Sequence, residues 1–317
     1  MPPRNPSWEH RIGRRLTLRD LHILSVVVEC GSMAKGAKTL GMSQPAVSEA
    51  VTNLEGALKV RLLDRSQRGI EPTIYARALL ERGHVVFDEL QQGVRHIEFL
   101  ADPTVGEIRL GCPESMMAGL VPAIIDRMSR QCPRVVVHVA NAQPGEQEFR
   151  ALSERRLDIM MGRILRPISN PDVQTEMLCN DELRVVAGSS SPWARRRKVS
   201  LMDLESEPWV MFPTDSVISS YLAPAFRAAG CEPPRGAITS FSMHLRMQLL
   251  ATGRYLTIMH GWTLRHYAVH WPLKPLPIEL KLPPAPIAAF TLKNRTISPV
   301  VTTFLKHARD ISRSLGK

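Results

Sequence analysis

From Leu18 to Leu58 the apolar residues recur at the 3.6-residue spacing of helices, in three short bursts separated by glycines. Leu18, Leu21, Leu24 and Val28 share one face of a first helix, and Gly31 ends it in the usual C-cap role. Ser32 opens a second helix, Met33 to Leu40, with Ala34, Ala37 and Leu40 as its expected inner face. Gly41 supplies the tight turn before a third helix, capped by Ser43, whose inner face is Val47, Val51, Leu54 and Leu58. Gln44, Pro45, Ser48, Glu49, Thr52 and Asn53 then point elsewhere.

Beyond Leu62 and Leu63 a short basic segment, Asp64 to Thr73, contains Arg65, Arg68 and Gly69, which predicts a hairpin. From Thr73 to about Leu100 the chain has no proline, and Leu80, Phe87 and Val94 recur at seven residues, as do Leu79, Val86 and Gly93. That pattern predicts one long helix that pairs with a second copy, the alternative being an amphipathic helix packed on its own domain.

After residue 100 the period changes. Ile108 to Cys112, Arg134 to Val139 and Leu157 to Gly162 read as strands, separated by helices over Met117 to Arg130 and Glu146 to Glu154. This βαβαβ order implies a parallel, covered sheet. Trp209 to Phe212 reads as a further buried strand, Ile287 to Leu292 as another, and Pro299 to Ser314 as a final helix.

Composition narrows the classes. The 317 residues allow two or three domains, and an apolar share of 44% is that of an ordinary globular chain. A formal charge of +11 points to an anionic partner, with nucleic acid the first candidate. The five cysteines, Cys30, Cys112, Cys132, Cys179 and Cys231, are scattered and include no C-x-x-C pair, which argues against a disulfide framework or a zinc knuckle. Residues 1–15 form a Pro-rich basic tail without the apolar core of a signal peptide, and no later stretch has the apolar length that spans a bilayer, so the expectation is a cytoplasmic chain with no membrane partner. G-x-S-x-G, Walker, G-x-G-x-x-G and H-E-x-x-H motifs are absent, which argues against an enzyme; no cofactor and no metal are expected. His266 and His270 stand four apart but have no matching carboxylate or thiol, and the run Arg195 to Lys198 reads as a solvated loop.

Two helices joined by a glycine turn, the second with small and amide side chains at its exposed start, have the helix-turn-helix geometry that fits a DNA major groove. Gln44 can read an adenine edge with its amide, and Ser48, one turn on, can serve base or phosphate; Asn53 lies later on the exposed face, the alternative for Gln44 and Asn53 being solvated helix residues. Ser32 and Ser43 cap helix ends that can face phosphates, and Arg65 and Arg68 are assigned to the DNA backbone.

The stretch Ser32 to Ser48, continued by Leu54, Glu55, Leu58, Leu62, Leu63, Arg65, Arg68 and Thr73, resembles the LysR-type transcriptional regulators. The resemblance implies an α/β chain over nearly its whole length: a winged helix-turn-helix (16–74) whose DNA contacts include Pro45 and Ala46, a linker helix pairing two chains (75–100), and a two-lobed effector-binding domain like the type 2 periplasmic binding proteins (101–317). The chain is expected to cross to the second lobe near Asn180 and to return near Trp271, giving lobe I as about 105–180 and 272–317 and lobe II as about 181–271. The implied partners are double-stranded promoter DNA, a small-molecule effector, RNA polymerase, and further copies in a homodimer or, favoured by the resemblance, a homotetramer. Lys59 stands where the family usually has glycine, Leu63 where it has phenylalanine, Pro72 where it has leucine, and Tyr75 with Ala76 where it has Ala-Gly.

For the effector, Gly111 to Met116 turns from a strand into a helix start, where backbone N–H groups and the Ser115 hydroxyl would face a ligand, as an equivalent serine does in family members that sense organic acids. Arg163 follows a strand at its carboxyl end and either clamps a carboxylate, forms an interdomain salt bridge or is a solvated loop arginine. Across the cleft, after Pro213, Thr214 either offers a hydroxyl or caps the next helix. Together these tilt the expectation toward a small organic acid, aromatic or sugar-derived. Regulation by a cysteine redox switch, or a large domain that only oligomerises, are the alternatives.

Overall fold

The computed structural model describes residues 16–66, 69–144, 146–234 and 238–313. The chain divides into two compact units, Met1–Gln91 and Gln92–Lys317.

In the first unit α1 (Leu18–Cys30) begins with a reciprocal cap in which the Asp20 amide donates to the Thr17 hydroxyl and the Thr17 amide donates to the Asp20 carboxylate, at 3.2 and 3.1 Å. Gly31 and Gly41, at φ 61° and 63°, end α1 and α2 (Met33–Leu40) in the left-handed conformation that glycine adopts freely. The face that α2 buries is Met33, Gly36 and Ala37; Ala34, expected inside, is exposed. The reason is Gly36: a Cβ there would stand 3.1 Å from Val27 Cγ2 and 3.2 Å from its Cα, so α2 lies directly on the backbone of α1 and Ala34 is turned outward. α3 (Gln44–Leu58) buries Val47, Val51 and Leu54 in the same core as Leu24 and Val27.

The helix α3 ends at Lys59, whose φ of 57° is the left-handed conformation. Glu55, one turn earlier, accepts with Oε1 from the amides of Leu62 and Leu63 at 2.7 and 3.2 Å, which fixes the entry into an antiparallel hairpin of β1 (Leu63–Ser66) and β2 (Gly69–Pro72). α4 (Ile74–Ala101) then runs for 28 residues across the boundary of the two units. Val86, Leu90, Val94, Ile97 and Leu100 are exposed along it, at 42–71% of their full area.

The second unit has two lobes. In the first, a five-stranded sheet has the order β4-β3-β5-β12-β6, from β3 (Val105–Cys112), β4 (Arg134–Asn141), β5 (Ile159–Arg163), β6 (Val173–Cys179) and β12 (Ile287–Leu292). β3 is parallel to β4 and β5, as the βαβαβ order requires, while β12 joins β5 and β6 antiparallel. The helices of this lobe are α5 (Glu114–Met117), α6 (Leu120–Gln131), α7 (Glu146–Ser153) and α11 (Pro299–Arg313). Where one helix was expected over Met117 to Arg130, Ala118 and Gly119 interrupt it, with Gly119 at φ −142° and ψ −89°. Thr263 of the other lobe comes against this break and donates its hydroxyl to the Ser115 carbonyl at 3.0 Å. At the base of β5, Asp158 accepts from the amide and guanidinium of Arg109 (2.8–3.3 Å) and from Arg295 (2.8 Å), with Arg95 at 3.6 Å.

The second lobe is built on the antiparallel sheet β10-β7-β11, from β7 (Leu183–Gly188), β10 (Leu256–His260) and β11 (Leu273–Pro275). β8 (Val210–Met211) and β9 (Ile238–Thr239) pair in parallel, and a bridge from Trp209 to Leu256 connects them to β10. The helices α8 (Val217–Ala228), α9 (Met243–Ala251) and α10 (Gly261–Tyr267) cover it. The chain leaves the first sheet after Cys179, near the expected Asn180, but returns later than Trp271. β11 still pairs with β7, and Leu276 and Ile278 stay in the core of Trp209 and Phe226, so the return to the first sheet comes at β12. The alternating apolar residues Leu276, Ile278, Leu280 and Leu282 hold the segment 276–282 on the second lobe through burial.

Candidate functional site

The helix-turn-helix presents one face. Ser32 accepts from the Lys35 amide at 3.5 Å and Ser43 from the Ala46 amide at 3.3 Å, so both serines spend their hydroxyls capping α2 and α3. Gln44, Pro45 and Asn53 are exposed on α3, Ala46 and Ser48 are half-buried, and the Thr52 hydroxyl donates back to the Ser48 carbonyl at 2.8 Å. Arg65 lies in β1 opposite Ile70; Arg68 lies outside the described residues. The hairpin is tied to the rest of the unit by the Ile70 amide, which donates to the Gly31 carbonyl at 3.0 Å. Gly69, at φ 121°, stands where a Cβ would lie 2.9 Å from that same carbonyl.

The cleft between the two lobes of the second unit encloses a cavity of about 420 Å³. Ser115 and Arg163 line it; Met116, Pro213 and Thr214 do not. Met116 is 1% exposed and packs in the core of the first lobe. Thr214 is exposed and does not cap α8; Ser216 does, accepting from the Ser219 amide at 3.3 Å, while its hydroxyl donates to Pro213 O. Among the described residues the amides of Val217 and Ile218, at the start of α8 and on the cavity wall, have no hydrogen-bond acceptor. The helix start at Ser115 is a single turn, α5, and so lacks the aligned peptides of a long helix.

Arg163 is held by the protein itself. Its Nε and Nη2 donate to Asp181 Oδ2 at 3.0 and 2.5 Å, and Nη1 donates to Ser115 Oγ at 3.2 Å. Both partners of this ion pair have side chains under 5% exposed, and burial pulls the Arg163 pKa down while Asp181 raises it. Asp181 lies where the chain first crosses between lobes, and its Oδ1 accepts from the Trp262 amide at 3.2 Å. Next to it, His260 is held uncharged: burial first, then the charges of Arg163 and Arg246, push its pKa well below the usual value, and its Nδ1 has no hydrogen-bond partner among the described residues.

Sequence reasoning did not find Glu114, Asp181, Arg246 or His260. Arg246 is 1% exposed, its guanidinium donates to the carbonyls of Ser240, Ile258 and Met211, and it sits 3.9 Å over the Phe212 ring. Among the described residues no carboxylate pairs with it, and desolvation drops its pKa to about 10, with Glu114 opposing. The signal was present: Met243, Arg246, Met247 and Leu250 share the buried face of α9, and an arginine among such neighbours has a specific task. Glu114 reaches across from the first lobe, where its Oε1 accepts from the Met243 amide at 2.9 Å. Phe212 and Phe241, with ring centroids 6.1 Å apart, form part of an apolar wall with Leu165, Ile168 and Met243.

Burial pushes Cys112 up to about 12 and raises Cys179 and Cys231, the reverse of what a reactive cysteine needs. Among the described residues no three His, Cys, Asp or Glu side chains form a metal-holding group, and His270 lies beyond the end of α10, which carries His266. No helix among the described residues is long and apolar enough to cross a membrane.

Residues 18–77 match the family described as bacterial regulatory helix-turn-helix protein, lysR family, and residues 101–313 match the LysR substrate binding domain. The chain therefore belongs to the LysR family of transcriptional regulators, which are DNA-binding regulators with an effector-binding domain and not enzymes. Among curated relatives it is similar to the HTH-type transcriptional regulator GbpR of Azospirillum brasilense, 25% identical over 94% of this chain and 87% of that protein. It is also similar to the transcriptional dual regulator GltC of Bacillus subtilis, 23% identical over 91% of this chain and 95% of that one. Among solved structures, the LysR family regulator CbnR superposes with a TM-score of 0.60 at 21% identity, covering 94% of this chain and 99% of CbnR, and has also been solved with its target DNA. Full-length BenM superposes at 0.54 with 24% identity, covering 95% of this chain and 98% of its own. These likenesses show the fold.

Proposed function

We propose that this regulator reads operator DNA through the start of α3 and changes its DNA-bound arrangement when a small organic acid occupies the cleft. Gln44, Ser48 and Asn53 supply base-edge contacts, Pro45 and Ala46 allow close approach, the capped helix starts at Ser32 and Ser43 face phosphates, and Arg65 and Arg68 hold the backbone. Two chains pair through the exposed stripe Val86, Leu90, Val94 and Ile97 of α4, and further contacts build a tetramer. RNA polymerase is the partner through which the bound regulator acts on transcription.

The observation that carries the effector reading is Arg246. Its charge is buried in the cavity wall, and among the described residues its hydrogen bonds all go to carbonyl groups, so an anionic ligand would supply a direct counter-charge. Arg163 is unsuited to that task, because Asp181 already neutralises it. An effector that binds one arrangement of the lobes more tightly than another shifts the balance between them, which is what regulation requires.

The test is a titration of the full chain against the DNA upstream of its own gene, across a salt series, with Gln44→Ala alongside. The expected result is sequence-specific binding whose discrimination the variant lowers by about 1–3 kcal/mol. Equal binding to every DNA, or a variant indistinguishable from the natural chain, would overturn the recognition-helix assignment.

A further inference from the structure

The cleft carries charges of both signs, and they balance. Arg163 and Asp181 cancel each other; Glu114 and Asp215 remain on the acidic side, Arg166 and Arg246 on the basic side, and His260 is neutral. Glu114 and Arg246 are the inner pair of the remaining four, since Asp215 and Arg166 are exposed at the rim.

Glu114 uses one oxygen and leaves the other open. Oε1 accepts from the Met243 amide across the cleft, while Oε2 has no partner among the described residues. The start of α9 is thereby occupied by a carboxylate of the protein itself, so a ligand carboxylate has to dock elsewhere. The second lobe offers it Arg246 and the free amides of Val217 and Ile218 at the start of the 12-residue helix α8, with the uncharged His260 also on the cavity wall. A ligand with a carboxylate only would satisfy that side and leave the half-buried Glu114 facing a second anion.

We infer that the effector is a zwitterion of the α-amino-acid type with an apolar side chain, its ammonium held by Glu114 of the first lobe and its carboxylate by the Arg246 side of the second. The side chain lies on the wall that includes Phe212 and Phe241. A molecule with one pole on each lobe gains both contacts only when the lobes are together, so binding and closure are coupled. This rests on the proposal that the cleft binds an organic acid, and narrows it.

The experiment is calorimetric titration of the intact chain with three matched sets: leucine, methionine and phenylalanine, each beside its deaminated acid and its decarboxylated amine. At least one amino acid is expected to bind more than tenfold tighter than both of its fragments. In Glu114→Gln, whose amide oxygen still accepts from the Met243 amide, that advantage over the deaminated acid should fall to less than threefold. If the deaminated acids bind as tightly as the amino acids, the zwitterion is overturned while the organic-acid reading stands. If the folded variant keeps the full advantage, Glu114 does not hold the ammonium and the assignment fails. If no member of any set binds, both readings fall. The comparison within the natural chain decides the ligand class even if the variant does not fold.

Discussion

Asp181 Oδ2 receives two hydrogen bonds from Arg163, at 3.0 and 2.5 Å, in a setting where neither side chain is more than 4% exposed. This arginine of the cleft wall is therefore part of the frame of the cleft, anchoring the end of β5 to the first crossing between lobes.

Removing one partner of such a pair leaves the other charge buried and unpaired. Asp181→Ala is expected to destabilise the second unit by about 3–5 kcal/mol, while the double change Asp181→Leu with Arg163→Met should recover most of that loss. Urea unfolding of the two variants beside the natural chain checks this. A single variant as stable as the natural chain would mean that water reaches the guanidinium.

The lowered pKa of His260 has a definite sign in stability. An unfolded histidine titrates near 6.5, and the folded one titrates well below it, so between those values only the unfolded chain takes up the proton. Stability from this group is complete above about pH 6.5 and is lost as pH falls beneath it, by at most about 1.4 kcal/mol per pH unit. His307, also lowered by burial, acts in the same direction. Melting temperatures from pH 7.5 to 5.5 should fall less steeply in His260→Gln than in the natural chain, with the remainder owed in part to His307.

Lys59 holds a φ of 57°, which costs a residue with a Cβ about 1–2 kcal/mol relative to glycine. Part of that gain is returned as the greater freedom of glycine in the unfolded chain. Lys59→Gly should stabilise the first unit by up to about 1 kcal/mol, seen as roughly fivefold slower hydrogen exchange of the α3 amides in the intact chain. Unchanged or faster exchange would show that the lysine side chain contributes more than its backbone costs.

Glu55 serves two amides with one oxygen. Glu55→Ala leaves the amides of Leu62 and Leu63 without that acceptor and is expected to cost about 1–3 kcal/mol, with weaker binding to all DNA alike because the hairpin loses its fixed entry. Glu55→Gln keeps an oxygen in place and should restore most of both. A loss confined to one DNA sequence would contradict this role.

The helices of the first unit were legible because each is written locally. The caps Ser32 and Ser43, the glycines Gly31 and Gly41, and the 3.6-residue spacing of Val47, Val51 and Leu54 all lie within one element. The strands β3, β4 and β5 were legible for the same reason, as was the long helix after the hairpin. Ala34 was misplaced because its orientation depends on how closely Gly36 lets α2 approach Val27, which is a contact between helices.

The sequence by itself determined the family, the helices of the first unit and the strands β3, β4 and β5, since capping, periodicity and an ordered signature are properties of neighbouring residues. Only the tertiary structure decided the cleft. Arg163 meets Asp181 from 18 residues away and Glu114 meets Met243 from 129, and no local pattern states which of several charged residues will neutralise one another. Arg163 was therefore left between a ligand and a salt bridge while Arg246 went unnoticed, because which guanidinium receives a carboxylate of the protein itself is settled only by the fold.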